Sequence, residues 1–348
     1  MDKLVDAKDT TDAERLERLL AKLPSAIAKR ARRQIEQEGQ GAIERWFSST
    51  PAPAESTKRQ AIVEEITHQE LSDARSFDQI GYMSRAVIMA TLPHRRPQSL
   101  EFKRTSGGFT LLMHIPNELA KATDVHLPYG PMPRLMFLWM TTEVTRTRER
   151  SLHLGSTRSE FMKKLMLTPR TGKRGNLRAF ESQLKGLLTT NFSAWREDNE
   201  NGKKSLRLHH RHVASDTLLW WDSPSANVDA LIHIDADFYS EMLQGAIPVC
   251  LDTVSKFKEN SLALDIYVWL TYRFATLRVP RVVAWEYLME QFGSEFSGPN
   301  AARAFKDYFK KQLKRVLTEY DTANVVVDRS GLKLLPSPTH IRLRKKTS

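Results

Sequence analysis

Two short stretches of this chain occur twice. Leu138-Trp139-Met140-Thr141 returns 130 residues later as Val268-Trp269-Leu270-Thr271, and Gln183-Leu184-Lys185 returns 129 residues later as Gln312-Leu313-Lys314. Two anchors at nearly one offset mark a duplicated module. In each copy a long apolar helix leads to a shorter helix, then to an amphipathic basic helix, then to a strand pattern. That order is the winged helix, a helix-turn-helix followed by a β-hairpin. The expected class is therefore α+β: two tandem winged-helix domains behind an N-terminal helical extension.

A chain of 348 residues, 41% hydrophobic, is long enough for more than one core. Its 53 Lys and Arg against 41 Asp and Glu give a net charge of +12, which favours polyanionic partners. The lone Cys250 rules out an intrachain disulfide framework and sits in an apolar setting, where it reads as a small core residue. The N-terminus is charged, without a signal-peptide apolar core, and no apolar run approaches the ~20 residues of a membrane helix. The expectation is a cytoplasmic protein with no membrane association.

Residues 1–47 read as a helical extension with Leu16, Leu19, Leu20 and Leu23 at helical spacing, and the Pro-containing stretch 48–57 as a linker. A first domain is expected over 58–246, opening with a helix at Lys58–Ala74, and a second over 247–348 with a basic tail. Ala86–Thr91, Leu100–Arg104 and Phe109–Ile115 read as strands, with Ser106-Gly107-Gly108 as a turn. The prolines of Leu127–Pro133 place the start of the first long helix near Arg134. Thr157-Arg158-Ser159-Glu160 is a capping box for the second helix. The third runs from about Asn176 to Thr190, followed by arms at Phe192–Arg196 and Ser205–His212, and by strands at Thr217–Trp221 and Ala230–Ile234. In the second copy the central helix is Leu262–Leu277, a short strand surrounds Val282, and helices follow at Trp285–Phe292 and Asn300–Tyr320. A hairpin, Asn324–Asp328 with Leu332–Leu335, closes the module.

The third helices carry the binding argument. Leu177, Phe180, Leu184, Leu187 and Leu188 line one face of the first, and Phe305, Phe309, Leu313 and Val316 one face of the second. Opposite them lie Arg178, Ser182 and Lys185, below Lys173 and Arg174, and in the second copy Arg303, Lys310, Lys311 and Lys314. A lone basic helix is most often a solvated face. Here the same stripe recurs in the slot where a helix-turn-helix places its recognition helix, which points to double-stranded DNA. Arg174, Arg178 and Arg303 are base-reading candidates, since Arg pairs bidentately with guanine, and the lysines are phosphate candidates. The first hairpin is a candidate wing through Lys203, Lys204 and Arg207, with Arg211 on the same arm.

Leu127–Arg134, Ser159-Glu160-Phe161, the long run Leu262–Arg273, and Pro336-Ser337-Pro338-Thr339-His340-Ile341 together resemble the RepA-type replication initiators encoded by bacterial plasmids. The similarity spans about residues 80–341. It implies an initiator that binds repeated sites (iterons) at a plasmid origin, helps open an adjacent AT-rich segment, and recruits the host initiator and replicative helicase. It also implies a dimer that represses its own promoter and a monomer that initiates, with no enzymatic activity and no cofactor. One departure is Ala284, where a Ser or Thr cap is expected before Trp285.

Other readings have residues behind them too. A transcriptional regulator would use the same helices without opening DNA. A rolling-circle nuclease would use His209, His210 and His212 with Tyr267 or Tyr272, but the tyrosines belong to a helix expected to be buried. Asp235-Ala236-Asp237 resembles the paired carboxylates that hold Mg²⁺ in primases, although a helix cap explains it as well. No glycine-rich phosphate loop is present, so ATP use is not expected.

Overall fold

The computed structural model describes residues 79–341 apart from Ala90, 107–108, 201–202 and 220–229; at 106, 109, 196–200 and 203–210 only the backbone is described. The expected extension 1–47, linker 48–57, helix at 58–74, turn at 107–108 and basic tail beyond Ile341 lie outside these residues. All described residues fall in one unit of the chain, Arg59–Ser348.

The chain runs β1 (Ile80–Ser84), α1 (Arg85–Met89), β2 (Glu101–Ser106), β3 (Phe109–His114), α2 (Asn117–Thr123), α3 (Pro131–Thr147), β4 (Ser151–Gly155), α4 (Arg158–Lys164) and α5 (Leu177–Thr189). It continues with β5 (Asn191–Glu200), β6 (Lys203–Arg211), β7 (Ala214–Leu218), β8 (Ala230–Ile234), α6 (Ala236–Gln244), β9 (Ala246–Cys250) and α7 (Leu251–Phe257). The second copy follows as α8 (Ser261–Thr276), β10 (Arg281–Ala284), α9 (Trp285–Phe292), α10 (Ala301–Glu319), β11 (Val325–Val327) and β12 (Gly331–Leu334). Helices thus alternate with small antiparallel sheets, the α+β class expected.

Three expectations are corrected. Ala86–Thr91 was expected as a strand, but Arg85–Met89 is helical and the strand precedes it. The helix α3 starts at Pro131, because prolines in a first turn occupy positions whose N–H has no intrahelical partner. The strand β4, between the first and second helices of its copy, alternates as Ser151-Leu152-His153-Leu154 over only five residues and is not among the expected strands. The capping box is present: Glu160 N donates to Thr157 Oγ1 at 3.1 Å, and the Glu160 carboxylate accepts from Ser156 N at 2.9 Å.

The sheets reveal the duplication more clearly than the helices do. β4–β8–β7 and β10–β12–β11 share one strand order, in which the strand between the first two helices pairs with the last strand of its module. The long hairpin β5–β6 belongs elsewhere, added to β2 and β3 in the sheet β2–β3–β5–β6. The strand β9, at the expected border of 246/247, pairs with β1 over five residues on each side. The two central helices, α3 and α8, lie within one hydrophobic core that runs from Met83 to Leu334.

Candidate nucleic-acid interface

The helix α10 is seated by Phe305, Phe309, Leu313 and Val316, all buried. Its outer face carries Arg303, Lys310, Lys311 and Lys314, all exposed; the Arg303 side chain is 88% exposed and makes a loose 4.0 Å contact with Asp307. The buried Trp285 orders part of this row. Lys306 and Lys310 lie 5.8 and 5.5 Å from its ring centroid, within cation–π range. The same indole donates from Nε1 to Asp328 O at 3.1 Å, and Trp285 N donates to Ser330 O at 3.2 Å. One residue therefore ties the β11–β12 turn, with its exposed Arg329, to the lysines of α10. The sequence reading missed Lys306, Trp285 and Arg329. The Asp-Arg-Ser-Gly turn was the available signal for Arg329.

The helix α5 is held differently. Phe180, Leu184 and Leu187 are buried, and the chain at 126–129 lies directly along the helix. Tyr129 N donates to Gln183 Oε1 at 2.9 Å, and Ser182 Oγ is 2.9 Å from His126 Nε2. A Cβ at Gly186 would sit 2.2 Å from His126 O, so only glycine permits this approach. The preceding turn is fixed by Asn176, whose Oδ1 accepts from Arg170 N and whose Nδ2 donates to Thr168 O. Lys173, Arg174 and Arg178 are exposed around it.

Two expected contacts on α5 are occupied within the protein. Ser182 faces His126, and Lys185 Nζ lies 3.0 Å from Glu181 Oε1. Glu181 also accepts from Arg158 Nη1 at 2.6 Å. Glu181 and Lys185 are one turn apart on α5, but Arg158 comes from α4 and His126 from the preceding loop, which helical spacing does not reveal. Lys203, Lys204 and Arg207 lie on β6, in register with Glu200, Asn199 and Arg196. That strand is at the edge of the sheet β2–β3–β5–β6, and among the described residues the second copy has no matching hairpin. The strands that match β11–β12 in order are β7–β8.

The 127–134 segment continues from the seat of α5 to a buried charged cluster between α3 and α8. Arg134 Nε and Nη2 donate to the two carboxylate oxygens of Asp265, each at 2.7 Å. Its remaining donors meet Pro93 O, Gly130 O and Leu92 O at 2.6–3.2 Å. Burial pushes the Asp265 carboxyl up, but Arg134 and His94 outweigh it and hold it below its ordinary range. Burial lowers His94 to about 4, so its ring is neutral and Nε2–H donates to Asp265 Oδ2 at 2.8 Å. Arg104 reaches in from β2 and donates to Gln291 O and Ser294 Oγ.

Two residues of the catalytic readings, Asp235 and Tyr267, are engaged structurally. Asp235 caps α6, accepting from Asp237 N and Phe238 N at 3.0 and 3.3 Å. Tyr267 is buried; its hydroxyl accepts from Cys250 N and lies 3.0 Å from His340 Nδ1. Among the described residues no group of three His, Cys, Asp or Glu is placed to hold a metal ion. No helix among them is long and apolar enough to cross a membrane.

No curated protein matches the chain. Two solved structures of domains 2 and 3 of RctB, one from selenomethionine derivatives, are similar to it. One has 11% identity and a TM-score of 0.45, covering 73% of this chain and 96% of its own. The other has 10% identity and a TM-score of 0.42, covering 71% and 94%. Residues 127–287, from the corner before α3 into α9, match the family described as "Plasmid encoded RepA protein". Over that segment the chain is similar to the plasmid-encoded RepA family that its sequence motifs resemble.

Proposed function

We propose that the protein is a plasmid replication initiator that binds double-stranded iterons at its origin through two winged-helix modules. The observation that carries this reading is the family match over residues 127–287, which covers the first module from the corner before α3 onward and the central helix of the second. The shared strand order of β4–β8–β7 and β10–β12–β11 supports two winged helices, with β7–β8 as the wing of the first. On this reading the modules are 58–246 and 247–348. Lys173, Arg174 and Arg178 contact DNA from the first, and Arg303, Lys310, Lys311 and Lys314 from the second. The protein opens DNA without catalysing a covalent step, recruits the host initiator and helicase, and represses its own promoter as a dimer.

Footprinting on the plasmid's own origin, with permanganate to report unpaired thymines, tests the proposal. Protected direct repeats beside a reactive AT-rich segment are expected. Protection of a single promoter palindrome without reactive thymines would instead make the protein a transcriptional regulator, and no protection would remove the DNA reading.

A further inference from the structure

The two basic helices occupy equivalent slots but differ in charge. Counting from the repeated Gln-Leu-Lys, Arg174 stands where Arg303 stands, Ser182 where Lys311 stands, and Lys185 where Lys314 stands. Glu181 occupies the slot of Lys310, so an acid replaces a base in the middle of the outward face. That acid is not idle. Its carboxylate lies 2.6 Å from Arg158 Nη1 on α4 and 3.0 Å from Lys185 Nζ one turn along α5. The three side chains are 19%, 41% and 29% exposed, so this is a half-covered triad at the surface rather than a core ion pair.

A carboxylate between two cations does two things to a nearby phosphate. It repels the phosphate directly, and it lowers the positive potential that Arg158 and Lys185 would otherwise present. Among the described residues no ion pair joins an acid to Lys310, Lys311 or Lys314 of α10, and Asp307 makes only the loose contact with Arg303. Asp307 stands one turn from Arg303, at the slot of Arg178, and leaves that arginine 88% exposed.

We propose that Glu181 restrains the first module's hold on phosphate. By engaging Arg158 and Lys185 it confines DNA contact on that side to Lys173, Arg174 and Arg178, and leaves α10 as the anchoring helix. This rests on the reading of both helices as DNA-facing. The consequence is a division of labour: the second module supplies most sequence-independent affinity, and the first reads bases from its N-terminal turn with little phosphate attraction of its own.

The test is the salt dependence of binding to a non-specific duplex by the full chain and its variants. Each phosphate neutralised contributes about −0.9 to the slope of log K against log salt, so Glu181→Gln is expected to steepen the slope by roughly 1 to 2. Its affinity at ~0.1 M salt should rise about tenfold or more on the same estimate. Lys185→Met should leave the slope near that of the wild type, while Lys314→Met should flatten it by about 0.9. Wild-type slope and affinity in Glu181→Gln would overturn the proposal, and so would a Lys185→Met slope as flat as that of Lys314→Met. If Glu181→Gln does not fold, the two lysine variants decide alone. A wild-type slope near zero with no effect of Lys314→Met would remove the DNA reading itself, a different failure from either of these.

Discussion

Arg134 uses all of its guanidinium donors, two on Asp265 and three on backbone carbonyls of Leu92, Pro93 and Gly130. A buried arginine satisfied in this way costs little while its partner is present and a great deal when it is removed. Asp265→Ala leaves an uncompensated buried cation and is expected to destabilise the fold by roughly 3–5 kcal/mol, read as a lowered denaturant midpoint. A loss under about 1 kcal/mol would mean that water reaches Arg134 and replaces the carboxylate. The sequence held a clue at this scale, since a lone Asp in the apolar run Leu262–Leu270 needs a partner. It did not say which of 53 basic residues that partner is.

Elements were legible where a local rule fixes them. The boundaries of α4, α6, α8, α9 and α10 follow from side-chain caps, apolar period and a closing glycine, all of which act within a few residues. Thr157→Ala removes the acceptor for Glu160 N and is expected to cost about 1 kcal/mol, measured by thermal or urea unfolding. Ala284 already lacks a side-chain cap at α9, so Ala284→Ser is the corresponding gain. Strands were less legible. β4 alternates but is only five residues long, and β9 is buried along its whole length, so it has no period-two pattern to read. The hairpin β5–β6 was found, but its membership of the β2–β3 sheet was not.

For the molecule as a whole, the buried cluster couples stability to pH. His94 is held at about 4 against an ordinary 6.5, mainly because burial penalises its charged form. Between those values the unfolded chain binds more protons, so stability falls as pH drops through that window and His94 has no effect above it. From pH 7 to 5 the loss is about 2 kcal/mol. Asp265, held low by Arg134 and His94 despite its burial, acts in the same sense at lower pH. Glu295, raised by burial, acts in the opposite sense and offsets part of the effect. Unfolding midpoints of the wild type and His94→Gln across pH 7 to 5 should therefore converge as the pH falls. Parallel curves would show that His94 is not the group responsible.

The sequence by itself determined that a module is duplicated, that each copy carries a helix apolar on one face and basic on the other, and which family the motifs resemble. These properties are periodic or contiguous, so no distant partner enters them. Only the tertiary structure decided the sheet order that makes β7–β8, and not β5–β6, the counterpart of β11–β12. It also placed Arg134 on Asp265 across 131 residues and Glu181 between Arg158 and Lys185. A strand's hydrogen-bonding edge and a side chain's charge are both open to many partners. Packing of the common core chooses among them, and that choice separates the basic residues left exposed to solvent from those already engaged within the protein.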